Sequence, residues 1–189
     1  VVLPLEPYLG LVKARRLMSS VRVLALRDLG RLPVDREWIE VRRGDEVGIP
    51  LWLALELSRR GYVELREGGL RDTELHRYHL LERGSRGGKL AEVREDLYLV
   101  AGLTLGRLYG EGSGESLVRA DRMKSVLANL LDIRVGKLVN AVVSVGDKQP
   151  SEITPVLEEM LLFKFLRRAL EVWRSSVLGY AELWPRWSG

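Results

Sequence analysis

The chain has 189 residues, of which 46% are hydrophobic and 30% charged, with a formal net charge of +4 and no cysteine. That balance predicts one ordinary packed domain with room for a small companion, and it excludes wholesale disorder, disulfides and thiolate metal sites. The longest apolar runs, LWLAL (51–55) and VLANLL (126–131), fall far short of the roughly 20 residues that cross a bilayer.

Basic and acidic residues alternate along the whole chain, 9 against 9 over residues 21–70 and 11 against 9 over 115–189. No segment resembles a basic arm, so DNA contact is expected to be weak or indirect. The opening run VVLPLEPYLGLVKARR lacks a basic n-region and is interrupted by Pro4, Glu6 and Pro7, which speaks against a signal peptide and for a soluble, cytoplasmic protein with no membrane partner. Scarce Asn, Gln, Met and Cys beside abundant charge match the composition of thermophile proteins.

In chain order, residues 1–20 form a lead-in with a helical look. Residues 21–28 (VRVLALRD) alternate Val21, Val23 and Ala25 with Arg22, Leu24 and Leu26, the period of a strand with one buried face. A connection over 31–35 leads to a second strand, 37–42 (EWIEVR). Arg43, Gly44, Asp45 and Glu46 then read as a turn in which Gly44 supplies a permissive φ. Pro50 stands near the first position of a helix over 51–60, Gly61 is placed to end it in the left-handed conformation, and 62–66 closes as a third strand. About three strands and one helix over 21–67 make a core too small to stand comfortably alone.

Gly68 and Gly69 mark a boundary, and from Arg71 the period turns helical, giving a larger all-α part over 70–179 and an α+β fold class for the whole. The expected helices are 71–83, 89–109 (with Leu90, Val93, Leu97, Val100 and Ala101 as its stripe), 116–145, and a last one that Thr154 caps, with Pro155 at its first position and Glu158 and Glu159 in its first turn. Residues 84–88 and 110–115 are glycine-rich breaks. On the long helix, Val126, Leu127, Leu130, Leu131, Leu138 and Val142 form a wide stripe, which suits a subunit interface or a central core helix equally. Residues 180–189 form a Trp-rich tail. Trp173, Tyr180, Trp184 and Trp187 crowd this end, either as core and tail packing or as an anchor for another subunit.

Candidate chemistry is thin. His76 and His79 lie on one helix face without a third ligand, and GEGSGE (110–115) follows a helix, contains no Lys and carries two glutamates, so it reads as a connector. No P-loop, G-x-S-x-G or H-E-x-x-H is present. No catalytic, cofactor-binding or metal-binding residue is assigned, and no enzyme activity is expected.

The order of parts carries a resemblance. RRGDEVGIPLWLALELSRRGYVEL (42–65) resembles the small β-domain of GINS subunits, with Arg43, Gly44, Asp45, Val47, Ile49, Pro50 and Gly61 at the matching positions. RMKSVLANLLDIRVGKLVNAV (122–142) resembles the family's helical-domain signature, where Arg134 and Lys137 stand three apart, and ITPVLEEMLLFKFL (153–166) resembles its last helix. The likeness spans roughly 20–178, and the β-domain-first order is similar to the archaeal "two–three" type. The glycine-rich break at 84–88 and the Trp-rich tail depart from the pattern. The resemblance implies a non-catalytic replication scaffold: a 2:2 tetramer with a helical-domain-first GINS subunit, linking the MCM helicase to a RecJ-like (Cdc-forty-five-like) protein. The alternative is a small DNA-binding regulatory protein in which the 51–60 helix, with Arg59 and Arg60, enters a groove.

Overall fold

The computed structural model describes residues 4–34, 37–66, 69–85, 88–144 and 155–180. A helix, α1 (Leu5–Leu17), leads into a strand-rich region: β1 (Ser20–Ala25), β2 (Gly30–Val34), β3 (Glu37–Val41), β4 (Glu46–Pro50), α2 (Leu51–Arg59) and β5 (Val63–Leu65). Four helices follow, α3 (Asp72–Gly84), α4 (Leu97–Glu111), α5 (Gly114–Ser144) and α6 (Leu157–Gly179). A small strand-rich part before a larger helical part is the expected α+β arrangement.

The strand-rich region holds five strands where the periodicity predicts three. β1 is the centre of an antiparallel sheet in the order β4-β1-β5, and β2 and β3 form a separate antiparallel pair. The expected connection over 31–35 is in fact β2. Pro33 hides it from a propensity reading, yet Pro33 is tolerated because a two-stranded ribbon is all edge, and it pairs opposite Trp38. β4 was concealed behind the turn signal: Val47 and Ile49 pair with Val23 and Val21 of β1. Gly48 lets β4 approach closely, since a Cβ there would meet Ser20 Oγ at 3.0 Å. Pro50 is correspondingly the last residue of β4 and the residue before α2, not a helical position.

α2 lies on this sheet, and Val23, Ile49, Ala54 and Val63 form its buried centre with Leu53, Leu57 and Tyr62 around them. The C-terminus of α2 closes as a Schellman motif: Gly61 takes φ +70°, its N–H donates to Ser58 O at 3.0 Å, and Tyr62 N–H reaches back to Leu57 O at 2.9 Å. Leu57 and Tyr62 each pack against the core beneath α2.

The helical part has two cores strung along α5. At 31 residues, α5 is about 46 Å long. Its N-terminal half, through Ala120, Met123 and Leu130, packs with Leu75 of α3 and Leu97, Val100, Ala101 and Leu108 of α4. Its C-terminal half, through Leu138 and Val142, packs with Phe163 of α6 and with Leu90. The expected helix over 89–109 is shorter than predicted: residues 89–96 are not helical, and α4 starts at Leu97. Leu90 enters the core with α6, while Val93 packs against the core of α3 and α4. The 110–115 connector shrinks to Gly112 and Ser113, with Ser113 Oγ accepting the Ser116 N–H at 3.1 Å as an N-cap. The last helix begins at Leu157 after Val156, so Pro155 lies outside it; Thr154 falls outside the described residues. Glu158 and Glu159 do sit in its first turn. No described helix is long and apolar enough to cross a membrane.

The lead-in is tied to the rest of the chain. α1 packs mainly along α6 and also touches α2, and Arg16 of α1 donates to Glu95 O at 2.6 Å. Gly61→Ala tests the α2 closure. A side chain forced into the left-handed region should lower stability by about 1–2 kcal/mol in chemical denaturation, without loss of the native circular dichroism spectrum.

Candidate functional site

The residues singled out in the sequence fall in three places. Arg43, Gly44 and Asp45 make the β3–β4 turn. Gly44 has φ +93°, Asp45 Oδ2 accepts the Arg42 N–H at 2.9 Å, and Asp28 Oδ1 accepts the Arg43 N–H at 2.8 Å. Gly44 N–H then donates to Ala25 O, and Ala25 N–H to Asp45 O, at 2.8 and 2.9 Å. The turn is thereby latched to the end of β1. With Gly61 closing α2, these positions shape the strand-rich module and leave the Arg43 side chain in solvent.

Arg134 and Lys137 come together in the helical part, in a setting the sequence does not announce. On α5 the buried row runs Met123, Leu130, Arg134, Leu138 and Val142, so a guanidinium occupies a place where the helix otherwise buries hydrocarbon. Arg134 is 0% exposed. Its Nε and Nη2 hold both oxygens of Glu159 at 2.6 and 2.8 Å, while Nη1 reaches Glu82 Oε2 at 2.5 Å and Ala91 O at 2.9 Å. Lys137 Nζ donates to Glu82 Oε1 at 2.6 Å and to the carbonyls of Glu82 and Lys89 at 2.7 and 3.1 Å. Tyr98 of α4 donates its hydroxyl to Glu159 Oε1. Ala91 N–H and Val156 N–H complete the two carboxylates.

Two cations thus face two anions, and the set joins α3, the 89–91 segment, α4, α5 and the start of α6. Lys137 also covers the Glu82 carbonyl near the C-terminal end of α3, and Glu159 covers an N–H at the start of α6, where Val156 has no side-chain acceptor to offer. Burial opposes the Arg134 charge, but the hydrogen bonds and field of Glu159 outweigh it and hold the guanidinium above its ordinary pKa. Burial, together with the neighbouring Glu159 carboxylate, pushes the Tyr98 phenol well above its usual value. Nothing in the local pattern marks Glu82, Tyr98 or Glu159 as partners of Arg134. The one available signal was an arginine in register with an apolar row.

The suspected interface residues divide. Leu130 and Leu138 are 0% exposed and Val142 is 8% exposed, all inside the chain's own cores, while Val126 and Leu127 pack against the first core. Leu131 is half-buried. The stripe is therefore chiefly interior. The apolar residues α5 leaves in solvent lie one row over, at Val135, Val139 and Val143 (38%, 40% and 55% exposed). Their spacing of four keeps them on one face. Beside them, Val139, Val142 and Val143 form one wall of a groove of about 300 Å3, and Leu166, Ala169, Leu170 and Trp173 of α6 form the other. Trp173 is 61% exposed, and Val177 and Tyr180 continue its row. Trp184 and Trp187 lie outside the described residues.

His76 directs Nδ1 at Asp72 O of its own helix, at 2.7 Å. Among the described residues, no group of three or more His, Asp or Glu is placed to hold a metal ion. On α2, Arg60 is engaged by Glu56 at 2.7 Å. The chain matches no family model, and no curated protein matches it.

Two outcomes test the buried cluster. Arg134→Met takes away the one cation paired with buried Glu159 and leaves Glu82 with Lys137 alone, so it should cost about 3–5 kcal/mol, read as a large drop in the thermal melt. Tyr98 gives a pH signature. Its folded pKa lies above the unfolded phenol value of about 10, so its stabilising contribution is complete below pH 10 and is lost as pH rises further. Denaturant midpoints measured on either side of pH 10 should therefore fall with pH, and fall less steeply in Tyr98→Phe.

Proposed function

We propose that this chain is a non-catalytic scaffold subunit of the GINS type. In this reading it assembles 2:2 with a helical-domain-first GINS subunit and links the MCM helicase to a RecJ-like (Cdc-forty-five-like) protein on the chromosome. The observation that carries the reading is the exposed apolar face of α5 and α6. Val135, Val139, Val143 and Trp173 stand in water on the largest helices of the chain, and a patch of that kind on a folded surface marks a protein contact. The strand-rich module supports it from the other end: it has its own small core and a turn latched onto its own sheet, the build of a docking unit carried by the helical part. The motif residues Arg134 and Lys137 support it as well, because they organise the helical body that would carry such a face.

The DNA-binding alternative asks α2 to present its arginines to phosphates. Glu56 already holds Arg60, and Glu64 and Glu46 are exposed on the neighbouring strands, which favours protein surfaces over a polyanion.

Co-expression with a helical-domain-first subunit, followed by light scattering, tests the scaffold reading. The expected product is a stable 2:2 assembly. Val135→Asp should weaken that assembly while leaving the melt of the chain intact, because Val135 is exposed. Leu138→Asp should unfold the chain, because it places a carboxylate inside a packed core. A monodisperse chain with no affinity for such a subunit would overturn the proposal.

A further inference from the structure

The strand-rich module and α4 face each other across a cleft of about 610 Å3, a size usual for small-molecule pockets. Leu55, Ser58 and Arg59 of α2 and Leu65 of β5 line one side, and the stretch of α4 from Gly102 to Glu111 lines the other. Leu55, Leu65 and Leu103 are only half-buried, so the chain's own packing leaves part of each free. The α4 wall is bare at Gly102, Gly106 and Gly110, where no neighbouring group comes within 4 Å of the place a Cβ would take. We infer that the cleft binds an amphipathic anion, a hydrocarbon chain with a carboxylate head. The site shares no residue with the α5–α6 groove and is independent of the scaffold reading.

Charge at the mouth selects the head group. Arg59 comes from α2 and Arg107 from α4, one from each wall, and both are exposed. Among the described residues Arg59 has no acidic partner, whereas the adjacent Arg60 is held by Glu56. The one carboxylate on the lining, Glu111, accepts the Ser116 hydroxyl at 2.7 Å and comes no nearer than 3.8 Å to Arg107. The mouth is therefore net positive, and a carboxylate placed there gains charge-assisted hydrogen bonds. The walls select the body. A further cavity of about 400 Å3 shares Leu65 and Leu103 with the cleft and continues past Leu51 and Leu99. The apolar lining is thus elongated, which suits an alkyl chain better than a compact ring.

Titration calorimetry of the full chain with decanoate, kept below its micelle concentration, tests the site. The expected result is one molecule bound per chain, a raised thermal melt, at least about 10-fold weaker binding of decanol, and none of acetate. Arg59→Glu and Arg107→Glu should each weaken decanoate by about 10-fold or more and leave decanol unchanged, the scale of a lost charged hydrogen bond. Both side chains are exposed, so the circular dichroism spectrum should not change. Gly106→Leu should abolish binding by filling the cleft. It should not lower the melt of the free chain, because a Cβ there meets no neighbour and leucine favours a helix more than glycine does. Decanoate bound at many equal sites, decanol bound as tightly as decanoate, or full affinity in Gly106→Leu would each overturn the inference. So would the absence of both heat and melt shift up to about 1 mM decanoate.

Discussion

A guanidinium with 0% exposure sits at the middle of the longest helix, and the helical half of the molecule is arranged around it. Arg134 can be buried only if its donors are met, and four hydrogen bonds from three directions meet them: Glu82 at the end of α3, the Ala91 carbonyl, and both oxygens of Glu159 at the start of α6, which Tyr98 of α4 also holds. A buried ion cluster of this kind adds little stability beyond what good apolar packing would supply. Its consequence is positional. Sliding α3 or α6 by one turn would strand a charge in hydrocarbon, so the cluster penalises alternative registers far more than it rewards the native one.

That constraint explains why α5 serves two cores. Leu130 belongs to the cluster with α3 and α4, Leu138 to the cluster with α6, and Arg134 lies between them on the same row. It also explains the irregular chain before α4. The carbonyls of Lys89 and Ala91 are occupied by Lys137 and Arg134, and the Ala91 N–H by Glu82, so these backbone groups are satisfied without a helix. Leu90 is thereby free to enter one core while Val93 packs against the other.

With the buried row committed to the chain's own cores, the next row on α5 is left in solvent. Val135, Val139 and Val143 are placed there by the helical period itself, four residues apart and about 100° around from the interior row. The strand-rich module is built on a different plan. The Arg42–Asp45 contact inside its turn and the Gly61 closure involve neighbours in sequence, while the bonds from that turn to Ala25 and Asp28 tie it to the end of β1 around a small core.

Features that depend on neighbours in sequence could be read from the chain directly. The strand over 21–28, the helix over 51–60 and its Gly61 stop, the left-handed Gly44, the four helical segments and the α+β order all follow from local period and turn chemistry. Where two requirements competed, the local signal misled: Pro33 concealed β2 because only pairing with β3 shows that its missing N–H is harmless, and the stripe over 89–96 suggested helix because period alone cannot tell that Leu90 and Val93 serve different cores. The apolar width of α5 was visible in sequence, but not which row faces inward. That choice belongs to Arg134, whose acidic partners lie 52 and 25 residues away. Ion pairs across such separations leave no period in the sequence, and only the packed arrangement of α3, α5 and α6 brings them within reach.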